Sequence, residues 1–137
     1  MLSNDNAAST TILLIRHGET AWNAEKRLQG HLDIALNAEG ERQAALLGAA
    51  LALETIDHVV SSDLLRARQT AEAIARTRGM AAGIDPALRE RCYGGFEGLL
   101  YSEIAARFPL EFEAWQARDV DAVLPPGKDQ GESLRAF

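Results

Sequence analysis

The chain has 137 residues, 47% of them hydrophobic and 25% charged, which is enough apolar material for one domain with its own core. A formal net charge of −6 excludes a general nucleic-acid or membrane-surface binder, since either needs an excess of positive charge, while still allowing a local pocket of clustered arginines. The single cysteine, Cys92, cannot form an intramolecular disulfide and fits a reducing compartment, with the cytoplasm as the default location. Residues 1–10 (MLSNDNAAST) have neither the basic start nor the apolar segment of a secretory signal, and read as a mobile tail ahead of a domain at 11–137. No apolar run approaches the length needed to span a bilayer.

The first element is a continuous apolar run at 12–15 (ILLI), the pattern of a short strand buried on both faces. It ends abruptly in Arg16-His17-Gly18-Glu19-Thr20. Residues 25–36 have weak periodicity around Gly30 and read as loop. Asn37 can cap a helix over 38–54, where Ala44, Leu47 and Leu51 make an apolar stripe. Residues 58–60 (HVV) form a second strand, ending in Ser61-Ser62-Asp63. The clearest helix covers 64–78, with Leu64, Ala67, Ala71, Ile74 and Ala75 on one face, Ser62 as its cap and Gly79 as its stop.

Residues 81–88 give a third, weaker strand interrupted by Pro86. Residues 89–98 are a glycine-bearing loop, and short helices over 102–108 and 110–119 flank Pro109. Residues 123–137 form a Pro/Gly loop that leads to a capped segment at Gly131-Glu132-Ser133. Strand–helix–strand–helix order implies parallel pairing through right-handed crossovers. In a parallel sheet the strand ends share one edge, where ligands bind. That edge would collect Arg16 and His17, then Ser61, Ser62 and Arg66, then the segment from Arg89 to Gly94. A helix amino terminus beside arginines suits phosphate, because backbone N–H groups and guanidinium forks both match its oxygens.

Three segments carry a resemblance: Arg16-His17-Gly18-Glu19-Thr20 with Trp22-Asn23, then SSDLLRARQTA, then RERCYGGFEG. Together, and in this order, they are similar to the signature segments of the histidine phosphatase superfamily, which includes the phosphoglycerate mutases. The resemblance runs from about residue 11 to 133. It implies a three-layer α/β/α fold with a mainly parallel sheet, phosphoglycerate mutase-like and incomplete at the C-terminus. It also implies His17 as a phosphate-accepting nucleophile, Glu90 as proton donor and acceptor, and Arg16, Asn23 and Arg66 as phosphate ligands. Gln29, Gly30 and Tyr93 are implied near the substrate.

Phosphoryl transfer asks for alignment and charge neutralisation more than for covalent help. Neutral His17 would attack phosphorus, the arginines and Asn23 would hold the equatorial oxygens, and protonated Glu90 would donate to the leaving alkoxide before taking a proton from water. No metal and no cofactor are required. The implied partner is a small-molecule phosphate ester, with no role for nucleic acid or membrane. A phosphatase is the leading reading. The alternatives are a phosphoglycerate mutase, which hands the phosphoryl group to a second substrate oxygen, and a non-catalytic module that binds phosphate esters.

Rival chemistries fit poorly. A cysteine phosphatase needs an arginine six positions after its cysteine, and Cys92 is followed there by Gly98. Asp119-Val120-Asp121-Ala122-Val123 matches the letters of an aspartate-nucleophile motif but follows an amphipathic helical pattern instead of an apolar strand. There is no nucleotide-binding G-x-x-x-x-G-K-[S/T] loop.

The chain departs from the resemblance in one respect. Family members carry a second histidine on a later strand that lies between the first two strands seen here. Of the other histidines, His31 follows no apolar strand and His58 begins its strand, so both read as structural or solvent-facing. The expectation is a chain lacking that later strand, with a gap in the sheet that exposes apolar side chains and unpaired backbone. A homodimer that exchanges segments would be one way to fill it.

Overall fold

The computed structural model describes residues 9–137, so of the expected tail only Ser9 and Thr10 fall within it, both exposed. The elements in order are α1 (Ala21–Glu25), α2 (Ala38–Ala50), β1 (Val60–Ser61), α3 (Leu65–Arg76), β2 (Gly83–Ile84), α4 (Tyr101–Arg107) and α5 (Pro109–Gln116). Short 3-10 turns occupy Pro86–Leu88 and Gly94–Phe96.

Local chemistry sets most of the boundaries. Asn37 caps α2 by accepting a hydrogen bond from the Gly40 N–H at 2.8 Å. Beyond Ala50 the expected helix gives way to turns, and Arg78 reaches across to donate to the carbonyls of Leu51 and Glu54 freed there. Gly79, at φ +63°, follows α3 in the left-handed conformation that stops a helix. Pro109 opens α5, where its missing N–H costs nothing. The segment at 131–133 starts no helix, and Ser133 only accepts from the Ala136 N–H in a turn.

Two boundary expectations are corrected. Ser62 does not cap α3. The helix has no side-chain cap at its N-cap position, Leu64, and the Leu65 N–H donates instead to Asp33 Oδ1 at 2.6 Å. Residues 21–25 were not expected to be helical, yet Thr20 and Asn23 form a reciprocal capping box that starts α1.

β1 and β2 pair in parallel, Val60 with Gly83 and Ser61 with Ile84, as the strand–helix–strand order requires. The run at 12–15, expected to be a strand buried on both faces, joins no ladder. Ile12 is 74% exposed and Leu14 93% exposed. A ladder needs a neighbour about 4.8 Å away. Here a cleft of about 1150 Å³ runs beside the segment, with Thr11, Ile12, Leu13, Leu14 and Ile15 on one side and Thr55, Ile56, His58, Val59 and Val60 on another. Ala67, Thr70, Ala71 and Ile74 of α3 also line it.

The core is built at two places. Ala44 of α2 and Ala71, Ile74 and Ala75 of α3 are buried as these two helices pack together. On the other side of the site, Leu28, Phe96, Ile104 and Leu124 form a buried cluster, with Tyr93, Leu99, Phe108, Phe112 and Trp115 packed against it. Trp115 meets the rings of Tyr93, Phe96 and Tyr101 edge-on. No helix among the described residues is long and apolar enough to cross a membrane.

Candidate active site

The segment 16–20 turns away from the extended run and is held by its neighbours. Asn37 N–H donates to the Glu19 carbonyl at 3.0 Å, and the Asn37 amide donates to Glu19 Oε1 at 2.8 Å. Gly18 lies against Gly40 in the first turn of α2, so closely that a Cβ on Gly18 would fall 2.5 Å from the Gly40 carbonyl oxygen. A side chain at either position would push the loop off the helix.

Thr20 is fully buried, and its hydroxyl organises two of the expected phosphate-side residues. It accepts from the Asn23 N–H at 3.1 Å and donates to Gln29 Oε1 at 2.8 Å, while Asn23 Oδ1 accepts from the Thr20 N–H at 3.0 Å. With its oxygen so engaged, Asn23 has its NH2 group left to donate.

His17 Nδ1 lies 2.7 Å from the Gly18 carbonyl oxygen. A carbonyl can only accept, so Nδ1 carries the proton, and in the neutral ring Nε2 bears the free lone pair. Burial holds the His17 pKa below its ordinary value. The Gly18 hydrogen bond and Glu90 oppose that shift, and the charges of Arg66 and Arg16 reinforce it. The balance favours a neutral, nucleophilic imidazole near pH 7.

Arg66 sits in the first turn of α3 and is 2% exposed. Its Nη2 donates to the Gly30 carbonyl at 2.7 Å and its Nη1 to the Leu32 carbonyl at 3.0 Å. Burial lowers its pKa from the ordinary value, opposed by the charges of Glu90, Asp33 and Glu97. An arginine remains cationic through such a shift. Gly30 thus acts through its backbone, holding the guanidinium.

Glu90 is exposed, on a loop tied down from several directions. Arg89 grips Asp63 beside α3 with a two-pronged ion pair at 2.7 and 2.6 Å. His31 Nε2 lies 2.7 Å from the Glu90 carbonyl oxygen, and Glu90 Oε1 accepts from the Arg91 N–H at 2.8 Å. The Tyr93 hydroxyl makes a long contact of 3.5 Å to the same oxygen. Burial first, and then Glu90, push the Tyr93 pKa up to about 12, so the phenol stays protonated.

The structure brings Arg16, His17, Asn23, Gln29, Gly30, Arg66, Glu90 and Tyr93 to the walls of one cleft, although they are scattered over 78 positions of sequence. Arg16 is the most solvent-facing of its cations, and Arg66 the most enclosed. His58 lines the same cleft from the segment before β1. His31 turns out to brace the Glu90 loop, a contact its place in a loop gave no means of reading. Thr20 and Thr70 were also missed. Thr70 follows Arg66 by one helical turn and accordingly faces the same side of α3. The rival nucleophiles stay apart. Cys92 is buried and its thiol is pushed up by that burial, the reverse of an activated cysteine. Asp119, the first acid of the other rival motif, accepts from the Asp121 N–H at 3.0 Å in the turns after α5, and Asp121 pairs with Arg135.

Comparison with known proteins places the chain in a family. The histidine phosphatase superfamily (branch 1) description matches residues 12–137. "Phosphoglycerate mutase-like protein 4" of Arabidopsis thaliana is 44% identical over 125 residues, covering 90% of this chain and 53% of that protein. "Probable phosphoglycerate mutase GpmB" of Serratia proteamaculans is 42% identical over 123 residues, covering 90% and 55%. The chain therefore spans about half the length of the curated relatives it matches. Among solved structures, a mycobacterial glucosyl-3-phosphoglycerate phosphatase complexed with VO3 is 36% identical with a TM-score of 0.74, over 85% of this chain and 56% of that one. The alpha-ribazole phosphatase of Shigella flexneri is 29% identical with a TM-score of 0.77, over 90% and 59%. On these matches, and with the phosphoglycerate mutase-like α/β fold they share, the chain belongs to the histidine phosphatase superfamily.

Proposed function

We propose that the chain carries the phosphoryl-accepting half of a phosphatase site that acts on a small phosphate monoester through a phosphohistidine on His17. The observation that carries this reading is the Nδ1–H bond to the Gly18 carbonyl, which leaves the Nε2 lone pair in the cleft that Arg66 and Glu90 share. In the first step Nε2 attacks phosphorus. The P–N bond forms as the P–O bond to the ester oxygen breaks, and that oxygen takes the proton of the Glu90 carboxyl. Arg16, Arg66 and the Asn23 amide neutralise and align the equatorial oxygens, where most of the catalytic contribution lies. Gln29, Gly30 and Tyr93 border the ester. In the second step water attacks phosphorus, Glu90 takes its proton and the P–N bond breaks, releasing inorganic phosphate and free His17.

The names of the solved neighbours support a phosphatase, and the curated relatives favour a second reading. In a phosphoglycerate mutase the same phosphohistidine would pass its group to another substrate oxygen instead of water. A site that only binds phosphate esters is the third outcome, and a cytoplasmic setting belongs to the same proposal. Incubation with a ³²P-labelled phosphate ester separates the three. Acid-labile, base-stable label on His17 together with released inorganic phosphate is the expected result. An isomerised product would mean a mutase. Bound ester with no label on His17 would mean a binding module and overturn the enzyme readings.

A further inference from the structure

The imidazole tautomer that leaves Nε2 free depends on where one backbone carbonyl points. Gly18 stands between two peptide groups, and each is held by a side chain from a different helix. The Gly18 N–H donates to Thr70 Oγ1 at 3.0 Å, and the Thr70 hydroxyl donates onward to the Arg66 carbonyl at 2.9 Å. Thr70 is buried, so its hydroxyl has no water to compete for these bonds. The Glu19 N–H, which shares its peptide plane with the Gly18 carbonyl, donates to Gln43 Oε1 at 2.9 Å. Gln43 is oriented in turn, because its NH2 donates to Glu39 Oε1 at 3.2 Å. Between these two planes, the Gly18 Cα is pressed against Gly40, so the pair of peptide groups cannot shift as a unit.

The structure assigns Thr70 and Gln43 as positioning residues for the nucleophile: together they fix the two peptide planes around Gly18, so that its carbonyl holds the His17 Nδ1 proton and keeps Nε2 open for attack. A histidine side chain free in water divides between two neutral tautomers, and only the Nδ1–H form has a nucleophilic Nε2. Thr70 has a second effect. By bonding the Arg66 carbonyl and the Gly18 N–H through one hydroxyl, it makes the turn of α3 that bears the guanidinium and the loop that bears the imidazole a single piece. The separation of nucleophile and phosphate ligand is then set by one oxygen atom. This inference rests on His17 being the phosphoryl acceptor.

The test uses the full 137-residue chain with ¹⁵N-labelled histidine, and reads the His17 ring by long-range ¹H–¹⁵N correlation NMR beside its rate of labelling by ³²P-2,4-dinitrophenyl phosphate. The wild type and Thr70→Ser should show a protonated Nδ1 and a bare Nε2. Thr70→Val and Gln43→Ala should show mixed tautomers. Labelling of His17 should slow by roughly tenfold in Thr70→Val and be restored in Thr70→Ser, inside the ~10²-fold that a misplacement of about 1 Å can cost. Gln43 is exposed on α2, so Gln43→Ala is expected to fold and carries the tautomer test even where Thr70→Val does not. If both variants keep the wild-type tautomer, or the wild type itself shows Nε2–H, the assignment is wrong. If the tautomer shifts as described but no variant and no wild type ever takes label, Thr70 and Gln43 still set the ring tautomer, but the phosphohistidine reading falls and with it their role in positioning a nucleophile.

Discussion

The run at 12–15 and the site around Arg66 invert the usual rule of burial. Four consecutive branched aliphatic residues lie open to solvent, while a guanidinium, two threonine hydroxyls and a glutamine amide are enclosed. Polarity alone predicts the opposite, and partnering explains both cases. A buried charge without hydrogen bonds would cost several kcal/mol, but Arg66 has two carbonyls at bonding distance, each such bond to a charged group contributing about 1.5–3 kcal/mol. Among the described residues the apolar run has no strand paired with it. Each exposed leucine or isoleucine there forgoes the roughly 1.5–3 kcal/mol that full burial would bring. What decides burial in this molecule is whether a second segment arrives to meet the first.

The largest effect should come from taking away a partner on the buried side. Arg66→Ala removes a filled volume and leaves two carbonyls without their donor. Urea melts should show a loss of about 3 kcal/mol, together with loss of oxyanion binding. A loss under about 1 kcal/mol would mean that the guanidinium is not what organises the 30–32 turn.

A smaller effect concerns charge on the same side. His17 takes up a proton less readily folded than unfolded, chiefly because it is buried. Below its ordinary pKa near 6.5 the unfolded chain therefore binds more protons at this position, and stability declines as pH falls from there toward the lowered folded value. His17→Asn should flatten this slope, as measured by thermal melts from pH 7 downward. An unchanged slope would break the link between burial and the neutral ring. The rate of His17 labelling should hold through this window and fall only around the lowered folded value, where the imidazole that must attack becomes protonated.

The smallest effect belongs to the exposed run. Leu14→Ser should alter the unfolding midpoint by no more than about 0.5 kcal/mol, because its side chain gives up almost no burial. The same change should reduce self-association in sizing chromatography if second copies meet at this apolar surface. A large loss of monomer stability would show that the run is covered in solution.

The sequence was readable wherever the signal was local. Asn37 as a cap and Gly79 as a stop each depend on chemistry within a few residues, and both are found, while Pro109, expected only to separate two short helices, is itself the first residue of the second. Parallel pairing of the two later strands followed from element order, and the three polar segments converge on one cleft. Errors came where a distant segment decides. Periodicity marked 12–15 as a buried strand, but a ladder is a property of two chains of residues and the neighbour is not present among 9–137. Ser62 looked like the cap of α3, yet the helix's first N–H takes its acceptor from Asp33, 32 positions earlier. The α1 helix is hidden because Thr20 stands in the signature segment and Asn23 as its implied phosphate ligand, although their three-residue spacing is also a capping box. Thr70, Gln43 and His31 act on the site through backbone groups, which leave no pattern in side-chain chemistry.

Arg66 is clamped by peptide dipoles and not by a carboxylate. Dipoles solvate a cation without cancelling it, so among the described residues the positive charge enclosed at the head of α3 has no carboxylate bonded to it, and the three acids that act on it are not its hydrogen-bond partners. A tetrahedral anion is the species that supplies the missing negative charge. Its arrival would complete an electrostatic unit that folding leaves half-built, and so occupancy of the cleft and the stability of the chain should rise and fall together.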